Sequence, residues 1–205
     1  MNNMADFEQR AINTIKASIA AKQQLLSSQE LIATIAKVSG TIVAAYKAGN
    51  KVFLFGNGGS AADSQHIAAE FVGRFAFDRP PLPALALSVN TSCVTAIGND
   101  YGFDLVFARQ LEALARPADV AIGISTSGNS PNVLQGLDMA KKLGLHTVAF
   151  AGCTGGKMKN SADFCLCAPS NETPRIQECH ILIGHIISEL VEATIFHEQS
   201  RVSRP

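Results

Sequence analysis

The chain has 205 residues, enough for one well-buried domain, and nothing in its length requires a second. Seventeen basic and 17 acidic residues cancel, so no overall charge draws it to nucleic acid or an anionic membrane, and an anionic ligand must be held locally. Hydrophobic residues reach 47%, which leaves room for an oligomer interface, while five scattered cysteines without a CxxC pair read as reduced thiols in a cytoplasmic protein.

The N-terminus, MNNMADFEQRAINTIK, lacks a basic segment followed by an apolar core, so no signal peptide is expected, and no apolar run is long enough to span a bilayer. From Phe7 to Leu26, apolar residues at Phe7, Ile12, Ile15, Ile19 and Leu25 recur at helical spacing. Ser27-Ser28-Gln29-Glu30 reads as a cap leading into a second helix, LIATIAKVSGTIVAAYKAG, which stops at Gly49-Asn50. Short apolar runs at 51–55, 84–89, 120–125, 147–151 and 164–167 then read as buried strands. Helical patterns lie between and after them, near 60–75, 103–115, 130–143 and 175–196. This alternation predicts βαβ units and one α/β domain: a parallel sheet with helices on both faces, preceded by an N-terminal helical hairpin. The segment FDRPPLP (77–83) reads as a rigid surface connection. The expected division is N-terminal helices over 1–50, the α/β domain over 51–196 and a polar, mobile tail over 197–205.

Ligands of such sheets bind at the carboxyl ends of the strands. Two expected strand exits carry suitable chemistry, Gly56-Asn57-Gly58-Gly59-Ser60 and Ser125-Thr126-Ser127-Gly128-Asn129-Ser130. Glycines let backbone approach a ligand closely, the following helix points free N–H groups at it, and hydroxyls add donors without net charge. Each loop alone reads equally as a tight turn before a helix capped by Ser60 or Ser130; two in one sheet favour a phosphosugar. Gly56-x-Gly58-x-x-Ala61 formally fits a dinucleotide fingerprint, but the end of the next strand offers Ser88 and Asn90 and no ribose-binding carboxylate. A P-loop is excluded because no lysine follows Gly59.

His66 and Glu70 stand four residues apart, on one helix face and about 6 Å apart along its axis. An imidazole and a carboxylate so placed can bind a divalent metal or share proton transfer, or simply form an exposed helix pair. The last helix carries Arg175, Gln177, Glu178, His180, His185 and Glu189 within an isoleucine-rich stretch. Gln177 and His185 lie about 12 Å apart along that axis, too far to reach one ion comfortably unless side chains stretch or a neighbouring subunit contributes. One of the two histidines can be purely structural, and periodicity leaves open which.

The stretches GNGGSAADSQHIAAEFVGRF, TAIGNDYGFD, ISTSGNSPNV and TPRIQECHILIGHII resemble the sugar isomerase (SIS) domain family, in particular its members that isomerise heptose phosphates. The resemblance implies a single SIS domain, a flavodoxin-like three-layer sandwich, assembled as a homotetramer with active sites between subunits. It implies interconversion of sedoheptulose 7-phosphate and D-glycero-D-manno-heptose 7-phosphate, the first step toward ADP-heptose for lipopolysaccharide core. By position it assigns substrate contacts to Asn57, Gly58, Gly59, Glu70, Asn99, Asp100, Ser125, Thr126, Ser127, Ser130 and Gln177. It assigns one zinc per subunit to His66, Glu70, Gln177 and His185, with Glu70 and His185 as the acid/base pair, and leaves His180 outside the set. The same family includes a non-catalytic protein that associates with a replication initiator, and other sugar-phosphate isomerases. Glu70 and His185 favour the enzyme over the binder.

Overall fold

The computed structural model describes residues 3–196; the expected tail over 197–205 lies outside them. Two helices, α1 (Asn3–Ser27) and α2 (Gln29–Lys47), precede strand β1 (Val52–Gly56). There follow α3 (Gly59–Val72), β2 (Ala84–Ala86), α4 (Thr91–Tyr101), a 3-10 turn (Phe103–Leu105) and α5 (Ala108–Leu114). The chain continues through β3 (Val120–Ser125), α6 (Pro131–Lys142), β4 (His146–Ala151), α7 (Met158–Ser161), β5 (Phe164–Cys167) and α8 (Thr173–Ile195). All five strands are parallel, in the order β2-β1-β3-β4-β5. The expected α/β sandwich is what forms.

Alternation along the strands builds the two cores. Leu54, Val120, Ile122, Ile124, Val148 and Phe150 face α2, α3 and α8, whose Ile42, Ile67 and Ile183 complete that layer. Phe53, Phe55, Ala121 and Ala149 face the other way, onto Leu111, Val133, Leu137 and Met158. Because β1 leads first to β2 on one side and then crosses to β3 on the other, the winding reverses between β1 and β3. A crevice opens at the carboxyl ends of such a pair.

Three local outcomes differ from the sequence expectation. Helix α4 was not expected, since TSCVTAIGNDY mixes β-branched residues with glycine and buries no side chain; its start is fixed by the Asn90 carboxamide, which accepts from Cys93 N at 3.1 Å. The expected helix over 103–115 becomes a 3-10 turn followed by the shorter α5. The segment FDRPPLP is more than a surface connection. The Arg79 guanidinium is buried beneath it, donating to Glu192 Oε1 (2.8 Å) and to the carbonyls of Glu70, Phe71, Gly73 and Pro80.

The N-terminal helices divide in burial. The Ser28 hydroxyl caps α2 as expected, accepting from Leu31 N, and α2 packs its Leu31-Ile35-Val38-Ile42 stripe into the core. In α1, only Ala21 and Leu25 are buried, while Phe7, Ile12, Ile15 and Ile19 stand about half exposed along one face.

Candidate functional site

Strand β1 is buried throughout and ends at Gly56, where a side chain would strike the Ile124 carbonyl of neighbouring β3 and Ser60. The chain turns through Gly58 at φ 56°, a left-handed conformation that favours glycine, and α3 starts at once. Next door, β3 ends in Ser125, and α6 begins after Ser130. Neither serine of the sequence expectation caps its helix through its side chain: Gly58 occupies the cap position of α3, and the Ser130 hydroxyl turns away from α6. It lies instead 2.8 Å from Ser125 Oγ, itself 3.3 Å from Ser127 Oγ. Three hydroxyls and a helix N-terminus therefore converge at one strand exit, an arrangement suited to phosphate oxygens.

The two loops are tied together. Asn57 and Asn132 exchange a pair of carboxamide hydrogen bonds, 2.8 and 2.9 Å long, linking the β1 exit to the first turn of α6. Sequence reasoning singled out Asn57 and missed Asn132; its place at the second position after Ser130, opposite another asparagine loop, was the available signal.

Helices α3 and α8 run side by side in the same direction. Gln177 packs its amide against Gly59, where a methyl group would collide with it, and Gly184 faces Ile67 so closely that it has no room for a side chain. One step further, His66 meets His185. Their Nε2 atoms stand 3.0 Å apart, and His66 Nε2 is also 3.0 Å from Glu70 Oε1. Phe75 stacks loosely against His185, with ring centroids 5.8 Å apart. The side chains are open to solvent, His66 by 51% and Glu70 by 23%.

This cluster is poorly served by its own protons. A neutral imidazole carries one N–H, and the single His66 Nε2 is approached by both a carboxylate and a second imidazole nitrogen. A divalent cation between the three would accept a lone pair from each. The ligand atoms of His66, Glu70 and His185 all lie within 4.8 Å of one another, and two imidazoles plus a carboxylate form a donor set suited to zinc with a position left open. Of the four ligands expected from the resemblance, these three converge. Gln177 does not join them within the chain, because eight residues of helix separate it from His185, about 12 Å of rise, and its side chain reaches across to Gly59.

Asp63, absent from the expected set, sits one turn before His66. Burial raises its carboxyl pKa to about 6, against the opposing charge of His66, and its Oδ2 has no hydrogen-bond partner among the described residues. Asn99 and Asp100 are exposed on the last turn of α4, bonded to each other at 2.7 Å. Asp100 borders a cavity of about 580 Å³ beside β2, whose lining includes none of His66, Glu70 and His185. His180 has the opposite fate to His185. It is fully buried, its Nε2–H donates to the Ala151 carbonyl at 3.0 Å, and burial lowers its pKa to about 4, so it is a neutral core residue.

The SIS domain family model matches residues 12–152. Phosphoheptose isomerase of Aneurinibacillus thermoaerophilus is 54% identical over 185 residues, 90% of this chain and 93% of that protein. The structure of phosphoheptose isomerase from Neisseria gonorrhoeae superposes with a TM-score of 0.84 at 39% identity, covering 91% of this chain and 99% of that one. That of Francisella tularensis gives 0.85 at 34%, covering 89% and 96%. On the fold, the paired strand-exit loops and these likenesses together, the chain belongs to the SIS domain family and, within it, to the phosphoheptose isomerases.

Proposed function

We propose that this chain interconverts sedoheptulose 7-phosphate and D-glycero-D-manno-heptose 7-phosphate, an aldose–ketose isomerisation that opens the route to ADP-heptose for lipopolysaccharide core. The observation that carries the reading is the convergence of His66, Glu70 and His185 on α3 and α8, with α3 starting at the glycine loop. The reaction moves a proton between C1 and C2 through an enediol(ate) and a second proton between the two oxygens. Glu70 takes and returns the carbon proton, and His185 serves the oxygens. Zinc, held by His66, Glu70 and His185, would polarise the carbonyl and steady the developing oxyanion. The hydroxyls of Ser125, Thr126, Ser127 and Ser130, with the amides of Gly58 and Gly59, hold the phosphate and so supply binding energy remote from the reacting carbons. Asn57, paired with Asn132, and Gln177, against Gly59, would contact the substrate from the glycine-loop end of α3.

The same proposal includes a homotetramer with shared sites in the cytoplasm. The half-exposed apolar face of α1, the open flank of the His66 cluster, the packing of Gln177 against Gly59 instead of that cluster, and the place of Asp100 at a cavity lined by none of its residues all support completion by neighbouring subunits. Five free thiols suit a reducing compartment. No helix among the described residues is long and apolar enough to cross a membrane.

The test is to incubate purified protein with sedoheptulose 7-phosphate, before and after chelation, and to look for the aldose. Conversion lost on chelation and regained with zinc is expected. No conversion with zinc supplied would overturn the reading in favour of a non-catalytic SIS protein, and full activity of a protein that sizes as a monomer would overturn shared sites.

A further inference from the structure

Behind the hydroxyl loop lies a group of thiols that the isomerase reading does not use. Cys165 and Cys167 alternate on β5, so both side chains leave the same face, and their Sγ atoms stand 3.5 Å apart. Both border a small cavity of about 230 Å³, together with Lys159, Cys153, Glu30 and Ser28. Its opening makes the pair reachable by a small molecule. The hydrogen bond from the Cys165 thiol, assisted by the Lys159 ammonium, lowers the Cys167 pKa to about 7 despite desolvation and Glu30. The same bond holds the Cys165 thiol protonated. One sulfur is thus prepared as nucleophile and its neighbour as resolving thiol.

The pair is also wired to the loop. Cys167 Sγ comes within 3.2 Å of the place a Cβ would occupy on Gly155, which has no room for one. The 152–158 segment is laid directly over the hydroxyl loop. Gly152 N donates to the Thr126 carbonyl, Met158 N to that of Gly128, and Lys157 N to Asn129 Oδ1, each at 3.0 Å. Cα atoms two apart on a strand are separated by about 6.6 Å, close to the upper limit of about 6.8 Å for a disulfide. Joining the sulfurs therefore requires β5 to give, and β5 can, because it is an edge strand paired only with β4.

We propose that Cys165 and Cys167 form a dithiol site that a low-molecular-weight disulfide oxidises reversibly, and that closing it loosens the Ser125–Ser130 loop and weakens substrate binding. The chemistry balances as two exchanges. The Cys167 thiolate attacks one sulfur of the small disulfide, whose S–S bond breaks and releases one thiol after protonation. Cys165 loses its proton to water and attacks Cys167 Sγ of the mixed disulfide, expelling the second thiol. The protein gives up two electrons and two hydrogens, and the small disulfide becomes two thiols.

The effect on substrate rests on the isomerase reading, but the thiol chemistry does not. Reduced protein is treated with glutathione disulfide, alkylated and digested with trypsin. Cleavage after Lys159 and Arg175 yields a 160–175 peptide that holds both cysteines and no other. The expected product is this peptide lighter by two hydrogens and unalkylated, restored by dithiothreitol. Cys165→Ser should stop at the mixed disulfide on Cys167, and Cys167→Ser should remain unmodified. Two alkylated thiols, a lasting mixed disulfide in the unaltered chain, or pairing of either thiol with Cys153 would each overturn the site. Oxidation should raise KM about fivefold with kcat within about twofold, the pattern of lost uniform binding, and should speed amide hydrogen exchange over 126–130. A disulfide that leaves this exchange unchanged sinks the coupling. An unoxidised protein with no isomerase activity instead sinks the functional reading and leaves the mapping and exchange arms intact.

Discussion

Two ionic clusters bridge the same pair of helices, and they are built on opposite plans. Near the C-terminal ends of α3 and α8, Glu192 accepts from Phe75 N (2.8 Å), Ala76 N (2.7 Å) and Arg79 Nε, while Arg79 spends its remaining donors on backbone carbonyls. Both side chains are essentially inaccessible, 0% and 1%. Some two turns back, His66, Glu70 and His185 crowd one another in the open with too few protons to go round. A buried charge pair survives only if its hydrogen-bonding capacity is met; an exposed cluster tolerates unmet capacity, and that unmet capacity is what a ligand can use. The two are joined, since Arg79 also holds the Glu70 carbonyl at 2.7 Å. The satisfied cluster is the frame, and the unsatisfied one is the tool mounted on it.

Removing one side of the frame should have the largest effect. Glu192→Ala strands the Arg79 guanidinium and two backbone N–H groups, and should lower unfolding free energy by about 3–5 kcal/mol, read from the urea midpoint. A loss under about 1 kcal/mol would mean that water replaces the carboxylate and the contrast fails. Glu70→Gln should do the reverse, cutting turnover by about a hundredfold or more, roughly 3 kcal/mol of barrier. Its urea midpoint should stay nearly unchanged. Near-normal turnover would remove Glu70 from the acid/base role.

A pH scan sharpens the comparison for the two histidines of α8. Burial holds the folded-state pKa of His180 at about 4, below the ordinary 6.5. As pH falls through 6.5 the unfolded chain takes up a proton that the folded chain refuses, so this group costs stability progressively between pH 6.5 and 4 and not above. The full loss is about 3 kcal/mol at most. His180→Gln should flatten that part of the stability profile; an unchanged profile would show that the burial of His180 carries no such cost. The smallest effect belongs to the exposed Asp6–Arg10 pair on α1. Arg10→Ala should shift stability by no more than about 0.5 kcal/mol, and a larger shift would reveal a partner on that face.

Strands and loops were legible in the sequence because period and punctuation act locally: every apolar run became a strand, and both glycine- and serine-rich exits fell where expected. Helix α4 was not, because its start depends on one asparagine cap and its residues are indifferent helix formers. The site was half legible. His66 and Glu70 declare themselves by spacing, but their meeting with His185 depends on two helices running in parallel, which no local pattern states. Arg79 and Glu192 were missed although a signal existed, since Glu192 falls on the buried side of α8 with Ser188 and Val191. The same stripe, Ile176, His180, Ile183, Ile187 and Val191, shows afterwards that His180 belonged to the core and His185 did not.

The contact between Gly184 and Ile67 has a consequence for how this chemistry can be tuned. The gap between the two imidazoles is gauged by neither histidine but by an apolar seam one residue away, where a missing methyl group lets the helix axes draw in. An alanine at 184 would act as a shim, prising His66 and His185 apart without altering a single donor atom. The spacing of the two imidazoles is thereby set by core volume. A lineage can retune the site through residues that never touch it.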